Sequence, residues 1–249
     1  MAKFTRRMQS KVHGGARRLG RIFFPYSDLD HTIPPEIVDD EFHETIRSLA
    51  QTAAIHTILE IGSSTGEGST RAFVDGIRLN PNQPLLFCLE VSRPRFQRLV
   101  RRYRLETHVK CYNLTSVPIS RFPTEAQVAD FYNARRSRLN ERPLSEVLRW
   151  LHQDIRYVER LGPTQDGIQV IKEQNGLDKF GMVLIDGSEF TGQAELDEIY
   201  GADYILLDDI GTFKNLDNYE RLRNDPTYDL VASNGTLRNG YAVFERRTL

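Results

Sequence analysis

The sequence is poor in cysteine and has no marked excess of either charge. Only two of its 249 residues are cysteine, Cys88 and Cys111, which excludes a disulfide framework and a cysteine-ligated metal knuckle. Both lie in apolar runs, so we interpret them as buried thiols in a reducing compartment. No apolar run is long enough to span a membrane, and no signal-peptide hydrophobic region is present. The net charge of −1 argues against dedicated nucleic-acid binding. These absences indicate a globular, cytoplasmic protein.

One end of the chain is nevertheless strongly basic. Residues 1–25 contain seven lysines and arginines and no acidic residue. Such an arm can lie on an anionic membrane or contact an acidic partner, and the alternative is a solvated terminus without a partner. The rest of the chain is long enough to bury the core of one domain. We therefore predict a basic arm over residues 1–35 and an α/β domain over residues 36–249.

A glycine-rich segment follows the first strand-like run of the domain. The run at residues 58–61 leads into Gly62, Gly66 and Gly68, with the spacing G-x-x-x-G-x-G, and a helix is predicted over residues 70–77. Glycine lets a backbone approach a ligand closely, and a helix N-terminus offers free N–H groups. The spacing differs from the G-x-G-x-x-G of dinucleotide folds. The segment therefore indicates a site for a nucleoside-containing ligand of another kind.

The remaining pattern alternates strands with helices. A helix over residues 36–54 precedes the first strand, and three helices within about residues 120–175 form an insertion, because a simple crossover needs one helix only. The apolar runs at residues 182–185 and 204–207 are typical of central parallel strands, which are buried on both faces. The further predicted strands cover residues 85–90, 108–112, 228–231 and 241–244.

This order of elements, together with the glycine segment, resembles the class I S-adenosylmethionine (SAM) methyltransferases over about residues 40–247. The resemblance implies a Rossmann-like sheet of seven mostly parallel strands, with an antiparallel last strand and helices on both faces. It also implies that the glycine loop holds the methionine part of SAM, that Glu90 binds the ribose, and that the turn at Asn113 lies beside the adenine. The implied cofactor-binding residues are Glu60, Gly62, Ser63, Gly66, Gly68, Glu90, Asn113 and Asp186.

Three acids at the ends of the fourth and fifth strands suggest a metal site. Asp186 follows the fourth strand, and Asp208 and Asp209 follow the fifth. Oxygen ligands from neighbouring strand ends suit Mg²⁺, and this arrangement resembles the metal-dependent O-methyltransferases and the cephalosporin-hydroxylase group. The alternative is that these acids cap a helix and bind loop amides. Catechol-type enzymes have a lysine three residues after the strand-4 acid, and here that position is Glu189.

The resemblance implies a SAM-dependent methyltransferase that methylates an oxygen of a small polar acceptor, such as a sugar or natural product, with Mg²⁺ as a second candidate cofactor. Asp186, Glu189 and His152 are the candidate catalytic residues, although His152 also fits a packing role on its helix. Two alternatives stay open: a hydroxylase-like enzyme on the same fold, and a non-catalytic binding subunit. The sequence does not indicate an oligomeric state.

Overall fold

The computed structural model describes residues 30–31, 34–161 and 166–247. Most of the predicted basic arm lies outside these residues, so its predicted partners stay predictions.

A single seven-stranded sheet organises the described residues. Its strand order is β3-β2-β1-β4-β5-β7-β6; β1 to β5 are parallel, and β7 is antiparallel to both of its neighbours. This confirms the predicted sheet and its antiparallel last strand. The strands are β1 (Thr57–Ile61), β2 (Leu85–Leu89), β3 (Val109–Tyr112), β4 (Met182–Ile185), β5 (Tyr204–Asp208), β6 (Tyr228–Asn234) and β7 (Tyr241–Arg246).

Helices cover both faces of the sheet, each over its own buried apolar cluster. One face packs against α1, α2 and α3, and the other against α6, α7 and α8. Successive side chains along each strand belong alternately to one cluster and to the other, as expected for a sheet buried on both faces. The helices are α1 (Glu41–Thr52), α2 (Ser69–Ile77), α3 (Arg93–Tyr103), α4 (Glu125–Ala134), α5 (Leu144–Arg160), α6 (Gly167–Asn175), α7 (Gly192–Ile199) and α8 (Leu216–Arg223).

The start of α1 differs from the prediction. A helix was expected from residue 36, but Asp39 has a positive φ of 49° and Asp40 has an extended backbone. The Asp40 carboxylate accepts a hydrogen bond from the N–H of His43, so Asp40 is the N-cap. The two prolines at positions 34 and 35 therefore precede a non-helical segment rather than the helix itself.

The insertion between β3 and β4 has an apolar cluster of its own. Val128 of α4 and Trp150 of α5 are buried there with Phe190, which follows β4, and Phe213, which follows β5. The insertion therefore packs on the loops at the carboxyl ends of β4 and β5. Among the helices that the structure describes, none is long and apolar enough to cross a membrane.

The two cysteines occupy paired positions on neighbouring strands. Cys88 on β2 is fully buried, as predicted, whereas Cys111 on β3 is only partly buried because β3 is the edge strand. Both are free thiols.

Candidate active site

The glycine loop between β1 and α2 is held against two other elements. Gly62 has a φ of +91°, and a Cβ there would lie 2.1 Å from the carbonyl oxygen of Asp186. Gly66 has a φ of +77°, and a Cβ there would lie 2.5 Å from the ring of Tyr103 on α3. The Ser63 carbonyl accepts the Gly66 N–H within the loop. These glycines let the loop approach the end of β4 and the side of α3, where no other residue would fit.

The segment before α1 lies over the end of this loop. Gly68 is the N-cap of α2, and a Cβ there would lie 3.2 Å from both the Ile37 carbonyl oxygen and the Pro35 side chain. The N-terminus of α2 is therefore bordered by Pro35 and by Ile37, of which Ile37 had been assigned to a helix.

Glu60 supports the loop from within the sheet. Its side chain is fully buried, and its two oxygens accept hydrogen bonds of 2.7 Å from the hydroxyls of Ser69 and Thr70 at the start of α2. Burial raises the pKa of Glu60, and the hydroxyls oppose that shift. Glu60 thus joins β1 to α2, and its predicted contact with a cofactor stays a prediction.

Glu90 joins the glycine loop to the start of α3. One oxygen accepts the Ser64 N–H at 2.7 Å, and the other accepts the Ser92 N–H at 2.6 Å. Burial raises its pKa, and Arg95 and the two amides lower it in part. A carboxylate has about four acceptor positions, so these two bonds leave capacity for ribose hydroxyls. The arrangement fits the predicted ribose contact.

The side chain of Asn113 shapes the turn after β2. Its amide donates to the carbonyls of Glu90 and Val91 at 2.8 and 3.0 Å, so it shapes the turn after β2. Close by, Asp30 accepts hydrogen bonds from Ser92 and Tyr157, which brings residue 30 and helix α5 to the same turn. Contact of Asn113 with an adenine stays a prediction.

The three predicted metal ligands do converge, but a lysine lies among them. Asp186, Asp208 and Asp209 each offer an oxygen within 4.8 Å of the others. The Lys214 ammonium donates to Asp186 at 2.9 Å and to Asp209 at 3.0 Å. Lys214 is buried, and the side chain of Asp186 is the most exposed of the three carboxylates, at 22%.

Further donors complete the cluster. Arg238, from the turn between β6 and β7, donates to Asp208 and to Asp40, while Asn239 donates to the second oxygen of Asp209 at 2.8 Å. Both oxygens of Asp209 therefore accept hydrogen bonds from side chains. The three aspartates face two cationic side chains, and one of these, Arg238, is shared with Asp40.

The pKa values in the cluster follow from burial and from the lysine. Burial raises the pKa of Asp186 well above its usual value, and it raises that of Asp208 to about 6, with Asp209 adding repulsion. Burial also raises the pKa of Glu189 to about 7, although Lys214 opposes the shift. For Lys214, burial lowers the pKa, but the carboxylates of Asp209 and Asp186 outweigh it and raise the value well above normal. Lys214 is therefore charged.

A divalent ion does not fit the cluster beside Lys214 as arranged. Such an ion would need oxygens of Asp186 and Asp209 at about 2.1 Å, and the ammonium already takes one oxygen from each. An ion bound there would lie a few ångströms from the ammonium and would be repelled by its positive charge. The Mg²⁺ prediction therefore stays a prediction that a binding measurement decides.

The insertion contacts the site through Asp154, and not through His152. The His152 ring is partly exposed and pairs with Glu125 of α4 at 2.7 Å. Asp154, two residues further along α5, is buried and accepts a 2.5 Å hydrogen bond from Ser188, which follows Asp186 in the loop after β4. Positions two apart lie on different sides of a helix, so His152 is directed away from this contact.

Sequence reasoning missed Lys214 and Arg238 as parts of the site. One signal for Lys214 was present: it is the only lysine or arginine between Lys179 and Arg221, in a stretch with ten acids. A lone cation in such a stretch is expected to find carboxylate partners. Arg238 had no comparable signal, because only the pairing of β5 with β7 brings it near Asp208.

Comparison with solved structures agrees with this fold. A protein from Klebsiella pneumoniae assigned as an O-methyltransferase has a TM-score of 0.53 and 12% identity, over 87% of this chain and 84% of that one. A methyltransferase from Geobacter sulfurreducens has a TM-score of 0.50 and 11% identity, over 86% and 81%. A Staphylococcus aureus protein assigned as a caffeoyl-CoA O-methyltransferase has a TM-score of 0.50 and 14% identity, over 85% of each chain. No protein-family model and no curated protein matches the sequence. The likeness shows that the described residues have the Rossmann-like fold of these solved structures.

Proposed function

We propose that this protein is a SAM-dependent methyltransferase that methylates an oxygen of a small polar acceptor in the cytoplasm. The observation that carries the proposal is that two groups of residues share one edge of the sheet. The glycine loop and Glu90 follow β1 and β2, while Asp186 and Glu189 follow β4, which pairs directly with β1. In open parallel sheets, ligands bind at this edge. The methyltransferase names of the structural neighbours support the same function.

The cofactor half of the site matches what SAM requires. The loop from Gly62 to Gly68 keeps its backbone close to the ends of β1 and β4, and Glu90 offers acceptor capacity for hydroxyls at the end of β2. The electrophile supplied by SAM is the methyl group on its sulfonium. The residues of this chain hold that group in place, and positioning supplies much of the rate of such a transfer.

The acceptor half of the site offers carboxylates that can take up a proton. In the transfer, the acceptor oxygen forms a bond to the methyl carbon, the carbon–sulfur bond breaks, and the hydroxyl proton leaves the acceptor. Asp186 and Glu189 are both partly exposed, so an acceptor can reach them. With a pKa of about 7, Glu189 is ionised in a large fraction of molecules at neutral pH and is suited to accept that proton. We therefore place the acceptor beside these two side chains.

Calorimetry with SAM and with its demethylated product, S-adenosylhomocysteine, tests the cofactor. We expect one binding site per chain for each compound. A panel of sugars and phenols with radiolabelled SAM then tests for methyl transfer. Binding without any transfer would favour the binding-subunit alternative, and absence of binding to either compound would overturn the proposal.

A further inference from the structure

Lys214 occupies the centre of the acidic cluster. Its ammonium lies 2.9 Å from an oxygen of Asp186 and 3.0 Å from an oxygen of Asp209, and the lysine side chain is only 7% exposed. Asp186 comes from the end of β4, and Asp209 directly follows β5. A single ammonium thus bridges the loops after two neighbouring strands.

The backbone around Lys214 is held by contacts with several elements, so the lysine side chain starts from a defined position. The Lys214 N–H donates to Glu189 at 3.2 Å. Its carbonyl lies so close to Gly192 that a Cβ there would be 1.9 Å away. The next residue, Asn215, is fully buried and donates to the carbonyls of Ile185 and Asp208. The loop after β5 is therefore tied to β4, β5 and α7 on both sides of the lysine.

Two further carboxylate oxygens of the cluster also have side-chain partners. Arg238 bonds Asp208 at 3.0 Å, and Asn239 takes the second oxygen of Asp209. Lysine has three N–H donors and no acceptor, so it can neutralise carboxylates as a compact cation does. With both cationic side chains in place, the trio of aspartates has much less need of a divalent ion than three unpaired carboxylates would have.

We propose that the ammonium of Lys214 is the resident cation of this site and takes the place that a divalent metal ion would need. Its hydrogen bond of 2.9 Å also holds the side chain of Asp186 in place. The consequence for catalysis, methyl transfer without a bound metal, rests on the proposed function. The claim about the cation does not, because it concerns ion binding alone.

Manganese binding tests the proposal directly. Mn²⁺ is titrated into the full-length protein, and the free ion is followed by electron paramagnetic resonance. The variants are Lys214→Met, which removes the cation, and Lys214→Arg, which keeps one. Lys179→Met is the matched control, since Lys179 pairs with Asp203 on the surface. We expect the wild type, Lys214→Arg and Lys179→Met to bind Mn²⁺ equally weakly. We expect Lys214→Met to bind it at least about tenfold more tightly, because a repelling charge a few ångströms away is gone.

Two results would overturn the proposal. One is stoichiometric Mn²⁺ binding by the wild type that Asp209→Asn abolishes. The other is a folded Lys214→Met protein that binds Mn²⁺ no better than the wild type. Circular dichroism checks folding, and Lys214→Gln replaces the methionine variant if that one does not fold. Calorimetry with SAM on the same samples separates the two proposals. A protein that binds no SAM would contradict the proposed function, but the comparison of Mn²⁺ affinities would still be valid.

Discussion

Replacing Glu90 with alanine should affect both the stability of the protein and its affinity for SAM. The wild-type carboxylate accepts the Ser64 and Ser92 amides at 2.7 and 2.6 Å and is only 4% exposed. Alanine would leave both N–H groups without an acceptor, and each unsatisfied group costs about 1–3 kcal/mol. Relief from burying a carboxylate, whose pKa is raised, offsets part of that cost. We expect the free energy of unfolding to fall by about 2–4 kcal/mol.

The matched control is Glu67→Ala in the same loop. The Glu67 side chain is 44% exposed and pairs with Arg102 at the surface, so its loss should cost at most about 1 kcal/mol. Urea unfolding measures the stabilities, and calorimetry on folded samples measures SAM affinity, which Glu90→Ala should weaken by roughly 1.5–3 kcal/mol. Equal stability losses for the two variants would refute the loop-holding role of Glu90. Unchanged SAM affinity in Glu90→Ala would remove it from the cofactor site.

Four further outcomes follow from the same contacts. Burial raises the pKa of Glu60, so ionisation of this carboxyl costs stability once the pH rises above its pKa in the unfolded chain, near 4.5. The free energy of unfolding of Glu60→Gln, measured in urea, should therefore rise relative to that of the wild type between pH 4.5 and 7. A difference that stays constant over this range would contradict the prediction. Gly66→Ala should lower the free energy of unfolding by about 1–3 kcal/mol, since its Cβ would collide with Tyr103, and an unchanged urea midpoint would refute that. His152→Ala should leave kcat unchanged within about twofold, and a tenfold loss in the methyl-transfer assay would support His152 as a catalytic residue. Deletion of residues 1–21 should leave SAM affinity unchanged in calorimetry. If the arm binds anionic vesicles, the deletion should also abolish sedimentation of the protein with them. Equal sedimentation of the full-length and truncated proteins would indicate a solvated arm.

The strands were the easiest elements to predict. The runs at 182–185 and 204–207 are apolar throughout because they form β4 and β5 at the centre of the sheet, and the observed bounds differ by at most one residue. The start of α1 was harder. Residues 36–40 have helix-compatible composition, but the positive φ of Asp39 and the cap at Asp40 depend on contacts with other parts of the chain, such as the pairing of Asp40 with Arg238.

The candidate site was predictable in part, because the carboxyl ends of parallel strands meet at one edge. That rule brings Glu90, Asp186, Asp208 and Asp209 to the same edge from the sequence alone. It does not give the direction of a side chain in a loop. The helical insertion shows the difference: the residue that reaches the loop after β4 is Asp154, whereas His152 pairs with α4.

By itself, the sequence determined the sheet, the glycine loop and the acidic edge, because these depend on local patterns of apolar residues, glycines and strand-end carboxylates. Only the tertiary structure decided what neutralises the acids. Lys214 lies five residues beyond Asp209 in the chain, and Arg238 lies on the far turn between β6 and β7. The Lys214 ammonium reaches its carboxylates because the loop after β5 packs against the start of α7. The Arg238 guanidinium reaches Asp208 because β7 pairs with β5. Electrostatic pairing over such distances is a property of the packed chain, since the energy between two charges depends on their separation in space and on burial.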